Sequence, residues 1–372
     1  MKLTIDRTAL LKCLTHVQSV VERRNTIPIL SNVLISAGDG HIGLTATDMD
    51  IDIVERAVAS VEVPGSTTAP AHTLYDIVRK LPDGSEVELD GGGDKERVRV
   101  RAGRSTFTLP ALPVADFPAI SGDSLPHSFE LTATELKRLI DRTKFAISTE
   151  ETRYYLNGIY VHATRMDDRP VLRAVATDGH RLARVEQECP DGATGMPGVI
   201  VPRKTVQELR KLLDEVDQPV AISLSETRIR FAFGAVVLTS KLIDGTFPDY
   251  ERVIPTGNDK VMEVSVKPFS AAVDRVATIS TEKSRAVKLA VQRGTLTLSA
   301  TSPDAGSATE ELEAVYTGPS IEIGFNSRYL LDITQQIEGD EAKFMMADAA
   351  APTVIYDAAD PEAVFVLMPM RV

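Results

Sequence analysis

Tryptophan is absent from this 372-residue chain, and aromatic residues of all kinds make up only 5% of it. Cysteine is almost missing too. Cys13 and Cys189 lack the paired spacing that a zinc site or a disulfide framework needs. A cross-linked secreted scaffold is thereby excluded, and two reduced intracellular thiols are the expectation. No run of about 18 apolar residues occurs, which excludes a helical membrane span. The first residues include Asp6 and no apolar stretch, so no secretory leader is expected. Low-complexity tracts, heptad arrays and acidic tails are likewise missing. What remains is an ordinary globular composition, 43% hydrophobic and 25% charged, long enough for two or three domains.

What the chain does have is repetition. One order of segments occurs three times, opening with KLTIDRTALLKCLTHV (from Lys2), SFELTATELKRLIDRTKFAIS (from Ser128) and VMEVSVKPFSAAVDRVATIS (from Val261). Each opening is an alternating apolar stretch that runs into an amphipathic helix. Paired strands follow, then a second helix, then a closing pair of strands. The second helices read PAHTLYDIVRKLPDG (from Pro70), PRKTVQELRKLLDEV (from Pro202) and FNSRYLLDITQQIEG (from Phe325). Repeats of roughly 120 residues are each large enough for a core. Pro-bearing linkers, Pro118–Ser128 and Val253–Lys260, divide the chain into domains 1–125, 126–253 and 254–372.

The strands carry a period of two. RVRVR (Arg97–Arg101), TFTL (Thr106–Leu109) and TRIRFAF (Thr227–Phe233) each predict one buried and one wet face, as in antiparallel sheets. GDGHIGLTATD (from Gly38) and DDRPVLRAVATDGHRLARV (from Asp167) read as hairpins with Asp or Gly turns. Helices alternate with groups of strands, so the fold class is a layered α+β design rather than a doubly wound parallel sheet. Two helices per repeat imply six similar half-units per chain. Units that pack on their neighbours build rods or arcs, and arcs can close.

Net charge is −12, which by itself argues against nucleic acid. Its distribution argues otherwise. The six helix windows 6–17, 71–81, 134–145, 202–213, 267–277 and 327–337 together carry +8, leaving −20 for the remainder. Positive helices on a negative body form one basic surface if they share a face; helix surfaces also collect Lys and Arg without any such purpose.

Six stretches carry a family likeness: RRNTIPILSNVL (from Arg23), RYYLNG (from Arg153), ATDGHRLA (from Ala176), VIVPRK (from Val199), SKLIDGTFPDY (from Ser240) and the terminal VLMPMRV. In order and spacing they resemble the bacterial beta sliding clamps, the processivity subunits of DNA polymerase III, over the whole chain. The resemblance implies three clamp-fold domains, each with two helices packed on antiparallel sheets, closing as a head-to-tail homodimeric ring. Geometry agrees with two chains per ring. Helix axes about 10 Å apart leave a hole of roughly 9 Å for six helices and about 28 Å for twelve, and only the second passes a duplex. The implied function is to encircle duplex DNA without sequence preference. The ring would tether the replicative polymerase and other replication and repair proteins that carry a clamp-binding motif. A separate ATP-driven loader in the cytoplasm would be needed. No cofactor, metal, membrane or catalytic site is implied.

The same resemblance assigns residues. Arg24, Arg203 and Lys204 are candidates for duplex contact, with Arg138 and Arg210 as further helix-borne cations. Tyr154 and Tyr155 match family positions that touch DNA; from the residues alone they read as a half-buried strand pair. Neighbouring Glu150 stands where the family can carry a neutral polar residue. A partner-peptide pocket is implied at Leu156, Thr177, Gly179, His180, Arg181, Leu182, Pro248, Arg252, Val253 and Val366–Arg371. Its apolar floor would be Leu156, Leu182, Val253, Val366, Leu367 and Met368, next to Pro369. Met370 would gate it, and His180, Arg181, Arg252 and Arg371 would line the rim. The dimer contact would join Phe107 and Leu109 to Ile279. His72 and Thr73 stand where basic residues can pair with an acidic run, and DAGSATEE (Asp304–Glu311) is only modestly acidic, so ion pairing there should be thin.

Two other readings deserve a place beside this one. Asp178 next to His180 could orient an imidazole base in a hydrolase, although no G-x-S-x-G and no second His at metal spacing accompany them. A clamp-fold scaffold outside bulk replication is the other. Gly91–Gly93 lacks the following Lys-Ser/Thr of a phosphate cradle and reads as a loop.

Overall fold

The structure is a computed structural model that describes the whole chain except residues 94–95, 119–121, 123, 281–284 and 372. Part of the Pro118–Ser128 linker therefore lies outside the described residues. Six α-helices alternate with groups of strands: α1 Arg7–Gln18, α2 Ala71–Lys80, α3 Ala133–Asp141, α4 Arg203–Leu212, α5 Val266–Ala277 and α6 Ser327–Thr334. All fall within the segments that the repeats predict except for Gln18, one residue past the first, and the architecture is α+β with antiparallel pairing.

Helix starts follow from local chemistry. Asp6 Oδ1 accepts from Thr8 N and Ala9 N at 2.8 and 3.0 Å, and Asn326 Oδ1 does the same for Arg328 N and Tyr329 N. Before α3, the Thr132 hydroxyl accepts from Glu135 N while the Glu135 carboxylate accepts from Thr132 N, a reciprocal capping box. Pro70 and Pro202 precede α2 and α4. The Asp39–Gly40 turn places both residues at positive φ (49° and 73°), matching the twist of the strands it joins.

The chain divides into two compact units, Met1–Glu135 with Asp191–Ala193 and Lys204–Leu242, and Leu136–Pro190 with Thr194–Arg203 and Ile243–Val372. In the first unit, a five-stranded sheet runs in the order Ser60–Val63, Lys2–Asp6, Glu86–Asp90, Arg97–Ala102, Ser105–Pro110. An eight-stranded sheet begins at His127–Leu131 and ends at Gly65–Pro70. Helix α1 packs on α2 and on strands His41–Thr47 and Ile51–Val58. It does so through Leu10, Leu14 and Val17, one helical face with no exposed area.

The second unit holds a nine-stranded sheet and a four-stranded one, the latter in the order Gly306–Glu313, Thr295–Ser302, Ala286–Gln292, Ile321–Asn326. Phe269, Val273 and Val276 of α5 are buried, and α5 packs against α6.

Repeat borders are not sheet borders. Val236–Lys241 of the second repeat pairs with Ile51–Val58 of the first, with Ser240 opposite Ile51. Arg181–Glu188 of the second pairs with Asp360–Leu367 of the third, with Leu182 opposite Val366. Each repeat thus covers a strand edge that its neighbour would otherwise leave unpaired.

Candidate functional site

One face of the nine-stranded sheet carries many of the residues assigned to the partner pocket, within the second unit. Gly158–Met166, Arg169–Thr177 and Arg181–Glu188 are consecutive antiparallel strands, and Asp360–Leu367 follows. Side chains on one face recur every two residues, so Tyr160, Val175, Leu182 and Val366 face together. With Leu156, Ile200, Phe247 and Tyr250, the last three of these form one buried apolar cluster, and Tyr155, Tyr160, Ile243 and Ile254 pack against it. Above this floor stand large apolar groups open to solvent: Tyr154 at 54%, Val253 at 54% and Met368 at 42%. Exposed apolar area beside a buried apolar floor is the combination that marks a binding surface. Pro248, Arg252, His180 and Arg371 are exposed around it.

Two assigned floor and rim residues behave differently. Leu367 neighbours Val366 on a strand, so it points to the opposite face and lies outside the cluster. Arg181 is not on the rim. Its guanidinium donates to Phe145 O (2.6 Å), Asp178 and Asp332, and lies 4.2 Å from the Tyr329 ring centroid. Two carboxylates and two aromatic rings cage the cation and leave its side chain 9% exposed, so it braces the turn.

That turn is the Thr177–Arg181 segment. Asp178 Oδ1 accepts from His180 N and Arg181 N, and Thr177 Oγ1 accepts from Gly179 N while donating to Arg181 O. Gly179 sits at φ +88°, where a side chain would be strained. Asp178 therefore holds backbone and Arg181 rather than orienting an imidazole. His180 instead stacks on Tyr329 at 6.4 Å. The terminal segment is fixed at two points, Met368 N to His180 O (2.9 Å) and Met370 N to Gly324 O (2.7 Å). Pro369, Met370 and Arg371 line a neighbouring groove of about 880 Å³ with Lys288, Thr301 and Glu322.

The candidate DNA-facing residues fall into two groups. Arg24 and Arg203 are exposed. The other three cations have carboxylate partners: Lys204 with Asp48 and Glu22, Arg210 with Asp214, and Arg138 with Asp360 and Glu362. Arg138 also donates to Glu186 O, so its guanidinium is committed within the protein. Tyr154 and Tyr155 are not a strand pair. They lie in a 3-10 turn, Glu151–Leu156, edge to face at 5.8 Å, with Tyr154 exposed and Tyr155 half-buried. Glu150 is paired to Arg153 at 2.7 Å, and that hydrogen bond holds its carboxyl below the ordinary value. Phe107 is exposed on an edge strand, Leu109 is buried beside Val98, and Ile279 is half-buried just after α5. His72 hydrogen-bonds Val21 O instead of waiting for a partner.

Profiles of the N-terminal, central and C-terminal domains of the DNA polymerase III beta subunit match residues 1–121, 130–249 and 251–371. The chain belongs to the DNA polymerase III beta subunit family. Like other members of that family it is a non-catalytic sliding clamp serving replication. It is 57% identical to the beta sliding clamp of Caulobacter vibrioides over all of both chains. Among solved structures, the sliding clamp of Bartonella birtlesii bound to griselimycin is 55% identical, with a TM-score of 0.97 and both chains fully covered. The Caulobacter crescentus pol III beta structure is 56% identical, with a TM-score of 0.96 and both chains fully covered. Family membership, together with the commitment of Asp178, removes the hydrolase reading.

Sequence reading of this clamp missed a polar knot beside the apolar cluster. Arg173 and Glu186 are buried and joined at 2.6 Å, and the Tyr250 hydroxyl lies 3.2 Å from Arg173 Nη1 and 2.9 Å from His162 Nε2. The signal was present in VLRAV, where Arg173 shares the inward parity of Val171 and Val175. An Arg in that parity needs a buried partner.

Proposed function

We propose that the chain works as one half of a closed, head-to-tail homodimeric ring around duplex DNA, with domains spanning 1–125, 126–253 and 254–372. The ring is set on DNA in the cytoplasm by a separate ATP-driven loader. The observation that carries the ring is a pair of terminal strands. Ser105–Pro110 ends the five-stranded sheet in the first repeat, and Gly306–Glu313 ends the four-stranded sheet in the third. Open strand edges template pairing with another chain, and two unlike edges, one in each unit, suit a head-to-tail dimer. Chemistry supports the match. Exposed Phe107 lies on one edge beside Arg99 and Arg101, which are exposed on the adjacent strand. Exposed Glu311 and Glu313 lie on the other edge. Ile279 adds apolar area near the second edge.

The pocket around Leu156, Leu182 and Val366 takes short partner peptides with aliphatic and aromatic anchors, including those of the polymerase. Its exposed rim groups His180, Arg252 and Arg371 meet peptide carbonyls or an acidic residue. By likeness to the Bartonella structure, griselimycin is also expected to bind. Arg24, Arg203 and Tyr154, all exposed, touch the duplex weakly. Phosphate contacts carry no sequence information, so the ring slides.

The test is retention on plasmid DNA after loading, in about 0.5 M salt, where phosphate contacts are largely screened. Retention on circles with loss on linearisation is expected. Equal loss from both forms would overturn the closed ring.

A further inference from the structure

Pro248, Asp249, Glu251, Arg252 and Val253 are exposed and form one wall of the pocket, yet no strand secures them. The segment from Ile243 to Ile254 contains a single 3-10 turn, Tyr250–Val253. It is held to the sheet by the Ile243 N to Ile200 O bond and by two aromatic pegs, Phe247 and Tyr250, both buried. The pegs are linked to each other through the sheet. The Phe247 ring stacks on Tyr160 (4.9 Å between centroids, 7° between planes), and Tyr160 stacks on His162 (4.7 Å, 24°). His162 Nε2 lies 2.9 Å from the Tyr250 hydroxyl, which closes the circuit.

The circuit rests on a lateral row of the sheet. His162 is in register with Arg173, and Arg173 with Glu186, so the three stand side by side across adjacent strands. Arg173 donates to Glu186, to the Tyr250 hydroxyl and to Glu251, and therefore grips the wall twice. With Arg173 donating to it, the Tyr250 oxygen is free to donate its own proton to His162. That requires a neutral imidazole with an unprotonated Nε2. Burial and the facing Arg173 charge both favour this form, and they hold the His162 pKa below its ordinary value.

We infer that His162 and Arg173 are positioning residues for the partner pocket, holding the Pro248–Val253 wall in place through the Tyr250 hydroxyl. The inference rests on the pocket reading given above. A wall fixed before a guest arrives loses less entropy on binding, so the effect belongs in affinity.

Arg173→Ala would strand Glu186 in the interior and risks misfolding. Tyr250→Phe and His162→Phe are cleaner, since each keeps its ring and removes one partner of the hydrogen bond. The probe is a fluorescein-labelled nonapeptide with a Leu-Phe anchor pair, titrated into the full chain well below the melting temperature. Each variant should bind it about 3- to 10-fold more weakly, the share of one buried hydrogen bond. A pH series adds a signature that mere destabilisation does not give. Arg173, Tyr250, Glu251 and Tyr160 surround His162, with Glu186 on the far side of Arg173. Its protonation in acid should weaken the wild type relative to His162→Phe, so the gap between them closes.

Met368→Ala with Met370→Ala serves as the control for the pocket itself. If that double variant loses affinity while Tyr250→Phe and His162→Phe bind normally, the positioning role is overturned and the pocket stands. If the double variant binds normally, both readings fall.

Discussion

His16 is held between two carboxylates, Glu55 at 2.7 Å and Glu215 at 3.5 Å, within the first unit. Burial alone would depress its pKa, but the hydrogen bonds and charges of Glu55 and Glu215 outweigh burial and raise it. A histidine with a raised folded pKa contributes stability that is fully present below the unfolded value of about 6.5 and is lost as pH rises through the folded value. Urea melts between pH 6 and 9 should therefore show stability falling with pH, and His16→Gln should flatten that slope. An unchanged slope in the variant would refute the assignment. At the same scale, Met368→Ala with Met370→Ala should weaken the labelled peptide about tenfold or more while leaving the dimer mass unchanged, because exposed Met368 and half-buried Met370 offer apolar contact and a few such contacts dominate binding. Some residue roles follow from local rules once the elements are placed, as with Asp6 capping a helix and Gly179 taking the positive φ of an Asp-Gly turn. Arg181 was not readable, since its cage comes from Phe145, Tyr329 and Asp332, segments far apart in sequence.

At the scale of elements, the edge strand Ser105–Pro110 carries the ring proposal. Phe107→Asp places a charge where apolar packing is needed, and Thr108→Pro puts a ring and no N–H into the strand. Either should shift the protein from dimer to monomer in sedimentation velocity at micromolar concentration. A dimer that persists in both would remove this edge from the interface. The elements themselves were largely legible. The alternation of RVRVR reappears as buried Val98 and Val100 between exposed arginines, and the repeat helices form where the 3.6-residue apolar period places them. The 3-10 turn at Tyr154 and Tyr155 was not legible, because two adjacent aromatics fit a strand equally well until the backbone bonds of Glu151–Leu156 are known.

For the whole molecule, charge is the property to test. The net charge is −12, and Arg138, Lys204 and Arg210 are already matched by carboxylates of this chain. Of the five assigned cations that leaves Arg24 and Arg203 for phosphates, so linear duplex should be bound weakly. The loss of affinity between 50 and 200 mM salt should fall well short of the thousandfold or more typical of six or more phosphate contacts. A steep salt slope on linear DNA would show a grip that the carboxylate partners of Arg138, Lys204 and Arg210 do not allow.

The threefold repetition, the α+β class, the hairpin turns and, through six ordered motifs, the family were all legible in the order of the residues. These depend on local periodicity, capping and turn chemistry, which act over a few residues. Tertiary structure decided which strands pair across repeats, so that two compact units share out three repeats. It also caged Arg181, tied Arg138 to Asp360, and buried Arg173 with Glu186 and Tyr250 under the pocket wall. Those outcomes turn on which distant side chain reaches a cation first. Low dielectric in the interior rewards a matched charge and penalises an unmatched one, and no local pattern records the match.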